Sequence, residues 1–297
     1  MNRKLSFIIS NEHNNKTVND YLRQEIKISG SLIKRMKRTK NAILLNGNEV
    51  FTNHIIKTND RLDILVGFDD ENSENIPIRY GELDIVYEDE DLLIIDKPAS
   101  MPIHPSMYHY EDSVASLVMG YYAQKGQSFV FRCVNRLDNG TSGLCVIAKH
   151  AYAHEMLKHQ LHSNEFERKY LAIAKGTIST NGFVEAPIAR ENDSCIKRTV
   201  AEFGDYAYTS YKVIKNCNDF TLVELTLKTG RTHQIRVHLS YIGHALLGDF
   251  LYGEETDIIS RTALHSSSIS LIHPISKKRI EFISPLPYDM QRLIDKK

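Results

Sequence analysis

Past residue 80 the chain is a succession of short, strand-length apolar runs between turn residues, and only three stretches carry helical spacing. The segment "LDIVYEDEDLLIIDKP" reads as two strands about an acidic turn, and the helical patterns are confined to Val114 to Tyr122, Met156 to Leu161 and Ile235 to Ile242. Strict strand-helix alternation builds a doubly wound parallel sheet, whereas strands that outnumber helices build an α+β domain. The expected body is therefore α+β, with a mainly antiparallel mixed sheet and flanking helices. At 297 residues there is room for one such domain and a smaller one attached.

The smaller piece is expected at the N-terminus. In "TVNDYLRQEIK", Thr17 is an N-cap, and Val18, Tyr21, Leu22 and Ile26 recur with helical spacing. "SGSLIKRMKRTK" follows, with Leu32, Ile33 and Met36 inward and Lys34, Arg35, Lys37, Arg38 and Lys40 outward. "AILLNGNEV" reads as a strand, an Asn-Gly turn and a strand start, and "DRLDILV" as a further strand. The whole chain has equal totals of 37 basic and 37 acidic side chains, yet residues 1–66 hold 12 basic against 6 acidic. That asymmetry points to an anionic partner. The arrangement resembles the small alpha-L RNA-binding module shared by a small-subunit ribosomal protein and tyrosyl-tRNA synthetases, which implies RNA contacts from Lys34, Arg35, Lys37 and Arg38. A solvated helix face accounts for the same charges, so both readings stand at this point. Residues 67–80 are polar and acidic and read as a linker, leaving 81–297 as the body.

Several chemistries fail on spacing. No run approaches the roughly 18 apolar residues of a membrane span, and the opening "MNRKLSFIIS" alternates like a strand and is not a signal peptide. Cys133, Cys145, Cys195 and Cys217 lack the paired spacing of a zinc site and are too few for a disulfide scaffold, which makes a reducing cytoplasm the expected compartment. His154 and His159 are five apart, as are His233 and His238, and residues five apart do not share a helix face. No metal is expected. Gly243 to Gly248 has phosphate-loop spacing, but Asp249 and Phe250 stand where Lys and Ser or Thr belong. Ser142 directly precedes Gly143, so "GTSGL" is not a nucleophile elbow, and a serine triad has no positive support.

One acid stands out. Asp138 in "VNRLDNGTSG" lies between the apolar or neutral stretches Phe129 to Val134 and Leu144 to Ala148. Burying an unpaired carboxylate costs several kcal/mol, so a charged Asp138 needs a cation. Arg136 is near in sequence. Arg231 and Arg236, at or near the start of a helix in "LKTGRTHQIRVHLSYIG", are the other candidates. Asp-Asn-Gly-Thr is equally a competent turn in which Asp accepts backbone hydrogen bonds.

"NRLDNGTSGLCVIAK" is similar to the signature of the RluA-type family of RNA pseudouridine synthases, His-Arg-Leu-Asp-x-x-Thr-Ser-Gly-Leu. "LLIIDKPASMPIHPS", "ERKYLAIAKG", "EAPIAR", "LKTGRTHQIRVHLSYIGHALLGDFLYG" and "ALHSSSISLIHP" resemble successive family blocks in order, together covering nearly all of residues 81–285. The resemblance implies a cofactor-free isomerisation of uridine in RNA, in which uracil is detached, turned over and rejoined through a ring carbon. It implies Asp138 as the essential acid, by a route the sequence leaves open, and Arg236 as its partner. Tyr170 would stack on the uracil and help remove the final ring proton. The target uridine must leave the RNA stack to reach a buried acid, and Arg136 would brace the vacated position. Arg231 is implied as a phosphate contact; for Lys169 and Arg190 surface solvation serves equally well. Large-subunit ribosomal RNA is the expected partner and transfer RNA the alternative, with nothing requiring more than a monomer. Two positions depart from the pattern: Asn135 replaces the usual histidine, and Ser100 the usual glycine of the Lys-Pro-x-Gly block.

Other readings make distinct demands. A non-catalytic RNA-binding protein predicts loss of Asp138, Tyr170 or Arg236, and all three are present. An aspartate-nucleophile phosphohydrolase wants Asp-x-Asp, whereas Asn139 and Gly140 follow here. A glycosidase wants a second facing carboxylate, and none is evident.

Overall fold

The computed structural model describes residues 3–68, 73, 75–107, 109–192, 196–254 and 256–295. Within the acidic stretch expected as a linker, residues 69–72 and 74 lie outside the described residues, as does Cys195.

The N-terminal part is a sheet of four strands in the order β1-β4-β2-β3, from β1 (Arg3–Ile8), β2 (Ile43–Leu45), β3 (Asn48–Glu49) and β4 (Arg61–Gly67). Asn46 and Gly47 turn β2 into β3 with φ of 51° and 83°, as a two-residue hairpin loop requires. A short helix α1 (Val18–Asp20) begins at Thr17, whose side chain accepts from the Asp20 amide, and it runs on as a π turn over Tyr21–Glu25. Helix α2 (Gly30–Met36), capped by Ser29, buries Leu32, Ile33 and Met36 and leaves its basic side chains on the outside.

The body opens with the antiparallel hairpin β5 (Ile85–Glu88) and β6 (Leu92–Lys97), then α3 (Val114–Gln124), β7 (Ser142–Ala148) and α4 (Ala151–Ser163). Next come β8 (Glu167–Lys175), β9 (Gly182–Glu185) and a small ribbon of β10 (Ile188–Arg190) with β11 (Arg198–Val200). After these follow β12 (Tyr208–Cys217), β13 (Phe220–Leu227), α5 (Gln234–Tyr241), β14 (Leu264–Ile272), β15 (Arg279–Ile283) and α6 (Tyr288–Asp295). The nine-stranded sheet runs β5-β6-β7-β14-β8-β13-β12-β9, with β15 also on β14, and its one parallel pair among the described residues is β7 with β14. The architecture is the mainly antiparallel α+β sheet that the strand pattern implies.

Both faces of this sheet are covered. On one, Leu93, Ile95, Cys145, Ile147, Ala172 and Leu225 pack with α3 and with Ile235 and Leu239 of α5. On the other, Leu92, Ile94, Leu144, Val146 and Ile269 pack against Ala153 and Leu157 of α4. Double-sided burial explains why β6 and β7 read as continuous apolar runs and not as alternation. The N-terminal module is joined to the body by side chains: Tyr152 and Met156 of α4 belong to its core. Arg3 reaches Asp91 at 2.7 Å, and Glu155 accepts from the Ser29 amide at 3.1 Å.

Candidate active site

The segment before β7 is laced to it by Asn135, whose amide donates to the Leu144 carbonyl at 3.0 Å and accepts from the Val146 amide at 2.8 Å. The residue that replaces the family's usual histidine is therefore a backbone tie. The chain then turns through Asp138 to Thr141, with the Thr141 amide on the Asp138 carbonyl at 3.1 Å and Gly140 at φ +89°. Gly143, at φ +106°, lets β7 pass β14: a Cβ there would lie 2.3 Å from the Ser266 carbonyl oxygen. The Asp-Asn-Gly-Thr turn is thus real, but it uses the main chain of Asp138 and leaves the carboxylate to other partners.

That partner is Arg236 on α5, whose Nη1 stands 3.5 Å from Asp138 Oδ2. The distance is at the long end for a charge-assisted bond. Arg236 is held far more tightly by Asp249, which accepts from Nε and Nη2 at 2.7 Å each. Asp249 is fully buried and Arg236 nearly so, whereas the Asp138 side chain keeps 27% of its surface open. Burial works against the Arg236 charge, yet the Asp249 hydrogen bonds, the Asp249 charge and then Asp138 outweigh it and raise its pKa. The Tyr252 ring lies 5.0 Å from the guanidinium carbon, and its hydroxyl pairs with His233 Nδ1 at 2.8 Å. Asp249 is a member of the site that spacing alone did not reveal; in the sequence it appeared only as the residue that spoils a phosphate loop.

Asp138, Arg236 and Tyr170 line one cleft of about 1040 Å³, walled by β8, by α5 with the turn before it, by α4 and by the Asp138 turn. Tyr170 is almost wholly buried; burial pushes its phenol up, the Arg168 charge opposes this and the Asp138 charge adds to it. Seven Lys or Arg side chains line the cleft against one acid, so it is a cationic recess in a chain of zero formal charge. Lys97, fully buried and not among the lining residues, donates to the carbonyls of Pro98 at 2.8 Å and Met101 at 2.6 Å, and burial pushes it down to about 8. Ser100 in that loop is exposed and has no positive φ, so this backbone does not demand the family's glycine.

The cleft-forming turn, strand and helix all fall within residues 91–241, which match the protein family described as RNA pseudouridylate synthase. Residues 5–62 match the RluD ribosomal pseudouridine synthase N-terminal domain. The chain belongs to the RNA pseudouridine synthase family. It is an isomerase of the RluA and RluD type. It is 40% identical to the Bacillus subtilis uncharacterized RNA pseudouridine synthase YjbO over 94% of this chain and 98% of that protein. With the Zymomonas mobilis ribosomal large subunit pseudouridine synthase D it shares 40% identity over 71% of each chain. The solved human RNA pseudouridylate synthase domain containing 1 has the same fold, with a TM-score of 0.60 at 24% identity over 71% of this chain and 86% of that one.

The other expected site residues of the synthase are placed unevenly. Arg136 is exposed at the cleft wall. Arg231 also lines the cleft, although its Nε donates to the Tyr206 carbonyl at 2.9 Å and Nη1 reaches Asp205 at 3.4 Å. Lys169 and Arg190 are not among the lining residues. The pleat of β8 sends Lys169 to the face opposite Tyr170. On α2, Lys34, Lys37 and Arg38 are exposed, while Arg35 lies over the Phe68 ring at 4.2 Å.

Two clusters away from the cleft are structural. The ligand atoms of Asp89, Asp91 and His273 lie within 4.8 Å of one another. Asp91 is engaged by Arg3 and His150, and Asp89 by Tyr87, His273 and two amides. These bonds satisfy the carboxylates and tie β1 to the body. Ser142 Oγ pairs with His265 Nδ1 at 3.0 Å, but both are buried outside the cleft, and the other ring nitrogen meets the Ser284 carbonyl at 3.3 Å. No helix among the described residues is long and apolar enough to cross a membrane.

Proposed function

We propose that the synthase acts in the cytoplasm on a specific uridine of large-subunit ribosomal RNA, with Asp138 as the essential acid, Arg236 as its partner and Tyr170 beneath the base. The observation that carries this reading is the Asp138 carboxylate, 3.5 Å from Arg236, partly open to a cationic cleft that Tyr170 also lines. An extruded uridine entering the cleft lays its base on Tyr170 and brings its glycosidic bond to Asp138, while Arg136 braces the vacated stack. Uracil held by its face stays in the site after detachment and turns over before it is rejoined. The matched RluD-type N-terminal region and the ribosomal large-subunit synthases among the relatives support ribosomal RNA as substrate.

The test is to incubate the purified chain with unmodified large-subunit ribosomal RNA, without metal or nucleotide, and to map pseudouridine. A single modified position is expected. Asp138→Asn should abolish its formation while RNA affinity stays within about twofold. Turnover retained in that variant would remove Asp138 from the chemistry, and modification of transfer RNA alone would overturn the substrate.

A further inference from the structure

On β8, residues 168 and 170 share the face that lines the cleft, and Arg168 is as unusual there as Tyr170. Among the described residues two buried side-chain polar atoms have no hydrogen-bond partner, Thr141 Oγ1 and Arg168 Nε, and both residues line the cleft. Buried polar groups in folded proteins are nearly always satisfied, and those that are not ask for an absent partner. Arg168 retains only 7% of its surface exposed, and among the described residues no carboxylate lies within salt-bridge distance of it. Among the described residues its one side-chain hydrogen bond runs from Nη2 to the Thr229 carbonyl at 3.2 Å. A Cβ on Gly230 would come within 2.8 Å of Nη1, so the 229–231 turn closes directly over the guanidinium. Burial accordingly pushes its pKa down, with only Tyr170 opposing.

A buried cation without a counter-ion is unfavourable in the free protein, and an anion entering the cleft relieves it. Arg198 and Lys228 also line the cleft, so an entering group that is negative meets favourable charge on several sides. Arg168 and Tyr170 are two residues apart on one strand face, on the order of 6 to 7 Å along it. That is the reach from a base to its own phosphate.

We propose that Arg168 anchors a phosphate flanking the target uridine, so that the synthase grips the reacting nucleotide by its backbone as well as by its base. This rests on the reading of the cleft as the uridine site. Thr141, which also lines the cleft and whose buried hydroxyl has no partner among the described residues, is left to meet the sugar or base of the same nucleotide. Arg168 thereby takes the place that the sequence offered to its neighbour Lys169, and the pleat of the strand decides between them. It is a positioning residue: the bond to phosphate persists from ground state to transition state, so its loss falls on binding more than on the chemical step.

The experiment uses synthetic RNA fragments spanning the mapped uridine, each with one neutral methylphosphonate at a linkage beside it, under single-turnover conditions. With the wild-type chain, one neutral linkage should raise the half-saturating concentration about 10- to 100-fold, the range for a charge-assisted hydrogen bond, with a smaller change in the saturating rate. Arg168→Gln should show the same loss on unmodified RNA and no further loss on the neutral linkage, and Arg168→Lys should recover part of the loss on charged RNA only. Additive losses would mean that Arg168 only staples the 229–231 turn and would overturn the proposal. Indifference of the wild-type chain to both neutral linkages would overturn it whether or not the variants fold. Absence of turnover by the wild-type chain on unmodified RNA would remove the uridine-site reading, and this inference with it.

Discussion

Arg236 serves two carboxylates unequally, and the inequality fits the role proposed for Asp138. Asp249 takes the Nε and Nη2 edge of the guanidinium at 2.7 Å each, whereas Asp138 stands off from Nη1 at 3.5 Å. A bidentate pair fixes the orientation of the arginine, and the longer contact leaves the Asp138 oxygens free for a substrate. Removing one partner of a buried ion pair destabilises by about 3–5 kcal/mol, because the other charge is stranded. Asp249→Asn should therefore lower the melting temperature by several degrees and reduce turnover at least about tenfold as Arg236 swings toward Asp138. Asp138→Asn, at a partly open side chain with a long contact, should leave the melting temperature nearly unchanged and still abolish turnover. Thermal melts and single-turnover assays on both variants check the contrast; equal melting temperatures for Asp249→Asn and wild type would show that Asp249 does not hold Arg236. Family resemblance named Arg236 as a partner for Asp138, but nothing named Asp249. The Asp249 pairing depends on how α5 packs against the turn after it, and a residue string does not show that packing. Asn135 is the converse case: its departure from the pattern was plain in the sequence, whereas its role as a tie to the β7 backbone was not.

Helix α4 shows how one element joins the module, the sheet and the cleft. Tyr152 and Met156 enter the N-terminal core, Ala153 and Leu157 pack on the sheet, and His154, Lys158 and His162 line the cleft. Each set recurs at i and i+4, as three stripes of one helix must. A helix apolar on two sides carries little net amphipathic signal, which is why only Met156 to Leu161 was legible in the sequence although the element runs from Ala151 to Ser163. The hairpin turn at Asn46-Gly47, the cap at Thr17 and the inner face of α2 were all legible, because each is set by local chemistry within a few residues; the Ser29 cap emerged only with the structure. On α2 the outward charges differ in role: Lys34, Lys37 and Arg38 are free to meet phosphate, whereas Arg35 covers Phe68. Replacing Lys34, Lys37 and Arg38 together by Gln should weaken RNA binding and flatten the dependence of log affinity on log salt by about 2, at roughly 0.7 per lost phosphate contact on single-stranded RNA. Arg35→Gln alone should lower stability more than it changes that slope. Binding titrations across a salt series decide it, and an unchanged slope for the triple variant would return the helix to a solvated face.

At the scale of the whole molecule, charge is sorted while its sum is zero. Basic residues gather in the N-terminal module and around the cleft, and the body elsewhere is slightly acidic. The two cationic regions are held together by the shared core of Tyr152 and Met156 and by Arg3 on Asp91, whose carboxyl is lowered to about 2 because the His150 and Arg3 hydrogen bonds and charges together outweigh burial. Histidine burial sets the acid limit of this assembly before that carboxylate titrates. His104, His150, His154, His233, His238 and His265 all have folded-state values below the ordinary 6.5, in each case chiefly because burial disfavours the charged ring. For a group whose value is depressed on folding, the unfolded chain binds the extra proton. Its stabilising contribution is then complete above 6.5 and is lost as pH falls from there toward the folded value. Each proton taken up on unfolding adds about 1.4 kcal/mol per pH unit to the slope. Unfolding by urea should therefore show stability falling between pH 7 and pH 5, with a steeper slope than Asp91 alone could give, since Asp91 loses its contribution only below about 4. His238, buried between Thr209 Oγ1 at 2.9 Å and the Ala186 carbonyl at 3.0 Å, is the cleanest single probe. His238→Gln should lower stability at pH 7.5 and reduce the slope between pH 7 and pH 5 by up to one proton's worth; a slope identical to wild type would show that this ring takes up no proton on unfolding in that range.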